Sequence, residues 1–112
     1  MPLSYPLVFI PLNTVTPISQ SFNNTFVGKF NVVLNTGPLI FTLNSDIIYT
    51  ANAEIVIKNS KDSTNDITLA FSGVTIDKSA DLVPIIPVGG IAELKRRGLT
   101  NTWDLYGYLK VA

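Results

Sequence analysis

The sequence contains neither cysteine nor histidine, and these two absences remove most familiar kinds of active site. Without cysteine the chain has no disulfide, no thiolate zinc site, no iron–sulfur cluster and no cysteine nucleophile. Without histidine it has no Ser-His-Asp triad and no imidazole ligand for a metal. We therefore predict that the protein has no metal site and no cofactor, and that it is not an enzyme.

The eight acidic residues do not change this prediction. A pair of catalytic carboxylates must be held across a cleft, and a β-sandwich of 112 residues leaves little chain to build one. Asp62 and Asp66 share a polar loop, but the loop lacks the residue order of a calcium-binding loop. We interpret this loop, and the stretch that holds Asp77 and Asp81, as solvated turns.

Charged side chains are scarce, at 14% of the chain, and the eight basic and eight acidic residues give a formal net charge of zero. Soluble domains usually contain about 25% charged residues. The distribution is uneven, because Lys29 is the only charged residue before Asp46. Uncharged surface costs little to desolvate, so we expect this stretch to contact other subunits. The alternative is a neutral polar surface that faces water.

The same sequence features argue against general nucleic-acid binding, a membrane-spanning helix and a classical signal peptide. A general nucleic-acid binder needs clustered basic residues to displace counterions, and the charge here is balanced. No apolar run reaches the roughly 18 residues of a membrane-spanning helix. The N-terminus has four prolines, no basic segment and no cleavage pattern, so we predict no classical signal peptide and synthesis in the cytoplasm.

Residues that favour β-strands are abundant, since isoleucine, valine and threonine together number 33. Apolar and polar side chains alternate over residues 26–34, 46–58 and 102–111, with turn residues between the apolar runs, and no internal repeat is visible. These patterns predict one all-β domain over residues 1–112, a small antiparallel β-sandwich similar to a jelly roll.

Two local predictions accompany this fold. Residues 46–58 and 67–71 are expected to pair as a hairpin across a loop of polar residues. The only helix expected is short, at residues 91–97, with Gly98 in position to end it.

Residues 1–20 are predicted to form an extended, proline-rich arm, which leaves residues 21–112 for the sandwich. Proline lacks the amide donor of a strand, so this segment supplies at most an edge strand. Its apolar side chains are unfavourable if left exposed. The arm either folds onto its own sandwich or adds to the sheet of a neighbouring copy. The predicted contact residues are Tyr5, Leu7, Phe9 and Ile10.

Lys95, Arg96 and Arg97 form the only basic cluster. They are a candidate contact for a phosphate, a nucleic-acid backbone or an acidic patch on a partner. The alternative is that they offset the negative end of the predicted helix.

Tyr106 and Tyr108 share one face of the last predicted strand, opposite Trp103, which we expect in the core. Exposed tyrosines of this kind stack on sugar rings and donate hydrogen bonds to them. Alternatively, the same two rings are covered by the arm or by a neighbouring subunit.

In its general character the chain resembles small virion components of bacterial and archaeal viruses, such as capsid decoration, penton and minor capsid proteins. These are often neutral β domains without cysteine, rich in asparagine and threonine, with extended arms. The resemblance implies a structural subunit of a virion, whose partners are copies of itself or a larger capsid or shell protein. The alternative function is a β-sandwich module that binds a glycan or a receptor through Tyr106 and Tyr108.

Overall fold

The computed structural model describes residues 7–12 and 18–112, with the backbone alone for residues 8–12 and 18, and this part of the chain is all β. It forms two mixed sheets. Sheet A has the strand order β1-β3-β5-β9-β10-β7, and sheet B has the order β2-β4-β6-β8. The strands are β1 (Leu7–Leu12), β2 (Ile18–Ser21), β3 (Phe30–Asn35), β4 (Leu39–Asn44), β5 (Glu54–Asn59), β6 (Ile67–Ser72), β7 (Thr75–Asp77), β8 (Ile85–Ile86), β9 (Ile91–Arg96) and β10 (Thr102–Tyr108).

The first six strands alternate between the two sheets, and each of β1 to β4 pairs in parallel with the next strand but one. In sheet A, Leu7 lies beside Phe30, which lies beside Val56. In sheet B, Ile18 lies beside Leu39. Parallel neighbours require a crossover between them, and here the strand in the opposite sheet provides it. The N-terminal half is therefore three successive coils of chain, each with one strand in each sheet.

The remaining strands close one end of this stack of coils. β9 pairs antiparallel with β5 and with β10, and β8 pairs antiparallel with β6. β7 then adds to β10 in parallel as the last strand of sheet A. Both sheets thus change from parallel to antiparallel pairing after the third coil.

The core lies between the sheets and is rich in aromatic rings. Phe22 and Phe41 stack with their ring centroids 4.8 Å apart, and Phe26 packs edge-on against both. Tyr49 packs edge-on against Trp103 at 5.2 Å, and its hydroxyl donates a hydrogen bond to the carbonyl of Phe22 at 2.6 Å. Trp103 is 1% exposed, so its predicted place in the core is confirmed.

Buried asparagines secure the loop that joins β5 to β6. The Asn59 side chain donates to the carbonyls of Asn65 and Ile86, at 2.9 and 3.1 Å. The Asn35 side chain donates to the carbonyl of Asp66 at 3.1 Å. Both side chains are fully buried, and burying an amide is tolerable only when it is hydrogen-bonded. These bonds fix the crossing of the chain from sheet A to sheet B.

The all-β prediction is confirmed, and the arrangement is similar to a β-sandwich. The predicted antiparallel pairing is wrong for five of the eight strand pairs, which are parallel. The likeness to a jelly roll is not confirmed. Alternation of side chains shows which residues face inward but does not show whether neighbouring strands run in the same direction.

The two local predictions are both wrong. β5 lies in sheet A and β6 in sheet B, so residues 46–58 and 67–71 do not pair as a hairpin. The predicted helix at residues 91–97 is replaced by the strand β9, in which Ala92 and Leu94 face the core. Hydrogen bonding to both β5 and β10 outweighs the helix propensity of this short segment. Gly98 lies in the turn that joins β9 to β10.

The predicted arm is not confirmed as a separate segment. β1 is an edge strand of this chain's own sheet A, as expected for a segment that contains Pro11. β2 is an edge strand of sheet B. Residues 1–6 and 13–17 lie outside the described residues, and so does the predicted contact residue Tyr5. Leu7 is strongly exposed. The side chains of Phe9 and Ile10 lie outside the described part.

Gly107 allows β10 to approach β9 closely, and we expect Gly107→Ala to destabilise the protein. A Cβ atom at this position would lie 2.2 Å from the carbonyl oxygen of Ile91, on a backbone with φ of 136°. We expect a loss of about 3 kcal/mol in the free energy of unfolding. Urea denaturation followed by the fluorescence of Trp103, the only tryptophan, measures this loss.

Gly28→Ala is the matched control, because φ is also positive there but no atom lies within 4 Å of the added Cβ. We expect it to cost only the strain of the left-handed backbone, about 1–2 kcal/mol. Equal losses in the two variants would contradict the close approach at Gly107.

Candidate interaction surfaces

Charged residues are segregated between the two sheets. Within the described strands, none of the residues of sheet B carries a charge, whereas sheet A holds all the charged strand residues: Glu54, Lys58, Asp77, Glu93, Lys95, Arg96 and Asp104. This separation does not simply follow the uneven distribution along the sequence, because β1 and β3 come from the charge-poor first part and lie in sheet A, whereas β6 and β8 come from the later part and lie in sheet B. One face is charged and the other is neutral.

The outer face of sheet B carries only neutral side chains in the described strands. Its central strand β4 buries Leu39, Phe41 and Leu43 and turns the residues between them outward. With the outward residues of the neighbouring strands, these form a surface that we call the neutral face: Ser19, Ser21, Ile40, Thr42, Thr68, Ala70, Ser72 and Ile85. Small hydroxyl and methyl groups cover it, so contact with it requires no charge to be desolvated.

Lys95 and Arg97, from the predicted basic cluster, form ion pairs on the outer face of sheet A. The Lys95 ammonium lies 2.7 Å from a carboxylate oxygen of Glu54. Arg97 lies 2.6 Å from Asp104 and 2.6 Å from Asp77, and its hydrogen bonds hold the pKa of the Asp104 carboxyl below its usual value. Both cations are therefore neutralised by strands of their own sheet.

Arg96 has a different environment, because it binds backbone carbonyls instead of carboxylates. Its guanidinium donates to the carbonyl of Tyr49 at 2.6 Å and to those of Leu99 and Thr100 at 2.8 Å. It therefore joins the loop before β5 to the turn between β9 and β10. All three cations of the predicted basic cluster make contacts within the chain, and their role at an interface stays a prediction.

Tyr106 and Tyr108 both point outward from β10, with 48% and 66% of their surface exposed. Tyr106 lies opposite Glu93 on β9. Partial burial raises the pKa of Tyr106 to about 12, aided by its hydrogen bond to Glu93 and by the charges of Glu93 and Glu54. Burial also raises the pKa of Glu93, and the hydrogen bond from Tyr106 opposes that rise. The face thus presents two aromatic rings beside two carboxylates.

Sequence reasoning missed this grouping of tyrosines and carboxylates. Glu54 precedes Glu93 by many residues, and the two come together only because β5 and β9 are neighbours. It also missed the structural role of Arg96. Alternation within residues 91–96 was the available signal, since Glu93 and Lys95 point the same way while Ala92 and Leu94 are buried.

The polar loop that contains Asp62 and Asp66 holds its carboxylates in exposed ion pairs with Lys61 and Lys110, at 3.2 and 2.8 Å. No group of three acidic side chains suited to a metal ion is found among residues 7–12 and 18–112. The same described residues include no helix of the length and apolarity needed to cross a membrane.

Comparison with known proteins gives no relative from which a function can be transferred. No protein-family model matches the chain, and no curated protein and no solved structure matches it.

We expect Glu93→Gln to lower the pKa of Tyr106 from its raised value near 12. The carboxylate stabilises the protonated phenol, and the neutral amide removes the negative charge that opposes ionisation. Titration of the tyrosine absorbance between pH 9 and pH 13 measures the change, and Tyr106→Phe identifies which transition belongs to Tyr106. An unchanged Tyr106 transition in Glu93→Gln would contradict the arrangement of these two side chains.

Proposed function

We propose that this protein is a non-enzymatic structural subunit that assembles with other protein chains through the neutral face. The segregation of charge carries the proposal, since the described strands of sheet B hold no charged residue and every charged residue that lies in a described strand belongs to sheet A. A face that only contacts water gains solubility from charged side chains. A face that packs on another protein avoids the cost of desolvating them.

The size of the neutral face favours several contacts for each subunit. Strands lie about 4.8 Å apart and rise about 3.3 Å per residue, so a face of this kind covers roughly 400 Å². Each partner in a standard stable interface buries about 800 Å². One such contact is therefore weak, and a stable assembly needs several contacts per subunit. Repeated weak contacts are what a closed shell of many copies provides.

We propose, more specifically, that the protein is a virion component: a capsid decoration, penton or minor capsid subunit. Its partners would be copies of itself or a larger capsid or shell protein, and it would be made in the cytoplasm of the host. The neutral balance of charge, the uncharged sheet B and the edge strand β1 in the N-terminal segment support this proposal.

The assembly proposal predicts that a charge on the neutral face prevents association. Light scattering over a concentration series should give a wild-type molar mass that rises above the 12.2 kDa of one chain. Ile40→Lys, at the centre of the neutral face, should raise the concentration needed for association at least tenfold. Thr68→Lys on the neighbouring strand should act in the same way. Agreement between the two variants shows that the loss of association does not come from a folding defect caused by Ile40→Lys alone.

Ile48→Lys is the matched control, because Ile48 is 87% exposed in a loop outside sheet B. It should leave the association unchanged. A wild-type chain that stays at 12.2 kDa throughout, or equal effects of Ile40→Lys and Ile48→Lys, would contradict self-assembly through the neutral face.

A second candidate function, glycan binding, is favoured by the exposed rings of Tyr106 and Tyr108 beside Glu54 and Glu93. The rings offer flat apolar faces to a sugar, and carboxylates accept hydrogen bonds from its hydroxyls. In this case Tyr106→Ala should abolish a glycan-array signal and leave the oligomeric state unchanged. Tyr106→Phe, which keeps the ring, should retain most of the signal. No array signal from the wild-type chain would contradict this candidate.

A further inference from the structure

We propose that the two edge strands at the open end of the coil stack, β1 in sheet A and β2 in sheet B, pair with the same two strands of a second copy. This inference rests on the proposed function, since it names one of the contacts through which the subunit would assemble. The occupant of the edge is a second copy of this chain, placed by a two-fold axis perpendicular to the sheets.

The four edges of the two sheets differ in how well they are protected from further pairing. At one end, β7 is only three residues long, and its Asp77 is paired with Arg97. β8 is two residues long and lies between Pro84 and Pro87. Short length, charge and proline are the devices that prevent edge-to-edge pairing in natural sheets. These two edges are therefore closed to a further strand.

The edges at the other end lack most of these devices. β1 extends over six residues and β2 over four, and neither contains a charged residue. Pro11 is the single protective residue in β1, and it removes one amide donor. Among the described residues, no strand pairs with the outer side of either β1 or β2. Both sheets therefore end at the same side of the molecule in an edge that can accept another strand.

A two-fold axis perpendicular to the sheets gives both edge strands a pairing partner in a single arrangement. Such an axis reverses the direction of each strand and keeps its outer face outward, so β1 pairs antiparallel with its copy and β2 with its copy. Residues near the axis then lie close to their own copies, and the two ends of each strand lie opposite one another. A charged edge would repel itself in this arrangement, and the absence of charge in β1 and β2 removes that obstacle.

This pairing also enlarges the neutral face. Sheet B of one copy would continue into sheet B of the other, and the combined outer surface would cover roughly 800 Å², estimated from strand spacing and rise. That area equals the share of each partner in a standard interface. The edge contact and the face contact therefore support each other in building a larger assembly.

Single cysteines test the proposal cleanly, because the chain has none of its own. Ser19 and Ser21 both turn outward on β2, so pairing in the proposed arrangement places Ser19 or Ser21 opposite its own copy, or Ser19 opposite Ser21. Facing residues in antiparallel strands have Cα atoms about 4.5–5.5 Å apart, within the range that a disulfide spans. We expect Ser19→Cys, Ser21→Cys or the double variant to form a disulfide-linked dimer under mild oxidation.

The matched control is Ser79→Cys, since Ser79 is an exposed serine in a loop outside the neutral face and outside β1 and β2. Dimer formation should be at least tenfold slower in this variant, measured by mass under non-reducing conditions. Equal rates in all variants, or no dimer in any β2 variant, would overturn the pairing.

Light scattering of the reduced variants distinguishes a failure of the edge pairing from a failure of the proposed assembly. Association without cross-linking at residues 19 and 21 would overturn the edge pairing alone and leave assembly through the neutral face standing. A chain that stays monomeric would overturn both the edge pairing and self-assembly through the neutral face.

Discussion

The packing of two sheets on one shared core is the constraint on which the rest of the structure depends. The chain must cross to the opposite sheet after each strand from β1 to β6. Each sheet must also turn alternate residues inward to bury Phe41, Leu94, Trp103 and their neighbours. Charged strand residues are then restricted to the outer faces and strand ends, and all of them lie in sheet A. The neutral face on sheet B is therefore left without charged strand residues, and the outer faces of the two sheets differ in their chemistry.

Much of the local structure could be predicted from the sequence. Alternation over residues 102–111 correctly placed Trp103 in the core and Tyr106 and Tyr108 outside, because a strand turns successive residues to opposite faces, although the strand itself ends at Tyr108. Low charge in residues 1–45 indicated only part of the neutral face, since β2 and β4 come from that region whereas β6 and β8 do not. The abundance of branched residues was enough to predict the all-β class.

The topology could not be predicted, because the coils have unequal lengths. The register joins Leu7 to Phe30 and Phe30 to Val56 in sheet A, and Leu39 to Ile67 in sheet B, so no constant spacing is visible in the sequence. The grouping of Glu54, Glu93 and Tyr106 depends on that topology and was missed with it. β9 was mistaken for a helix because its pattern is short and its neighbours in the sheet were unknown.

The central claim is that association uses neutral surface and not the ion pairs of sheet A, and its salt dependence tests this most directly. Salt at 1 M shortens the Debye length to about 3 Å, which weakens contacts between exposed charges and leaves contacts between neutral groups intact. Light scattering at one fixed chain concentration, in low and in high sodium chloride, should give an oligomer whose molar mass does not fall as salt is added. A fall to the 12.2 kDa of a single chain at high salt would contradict the account.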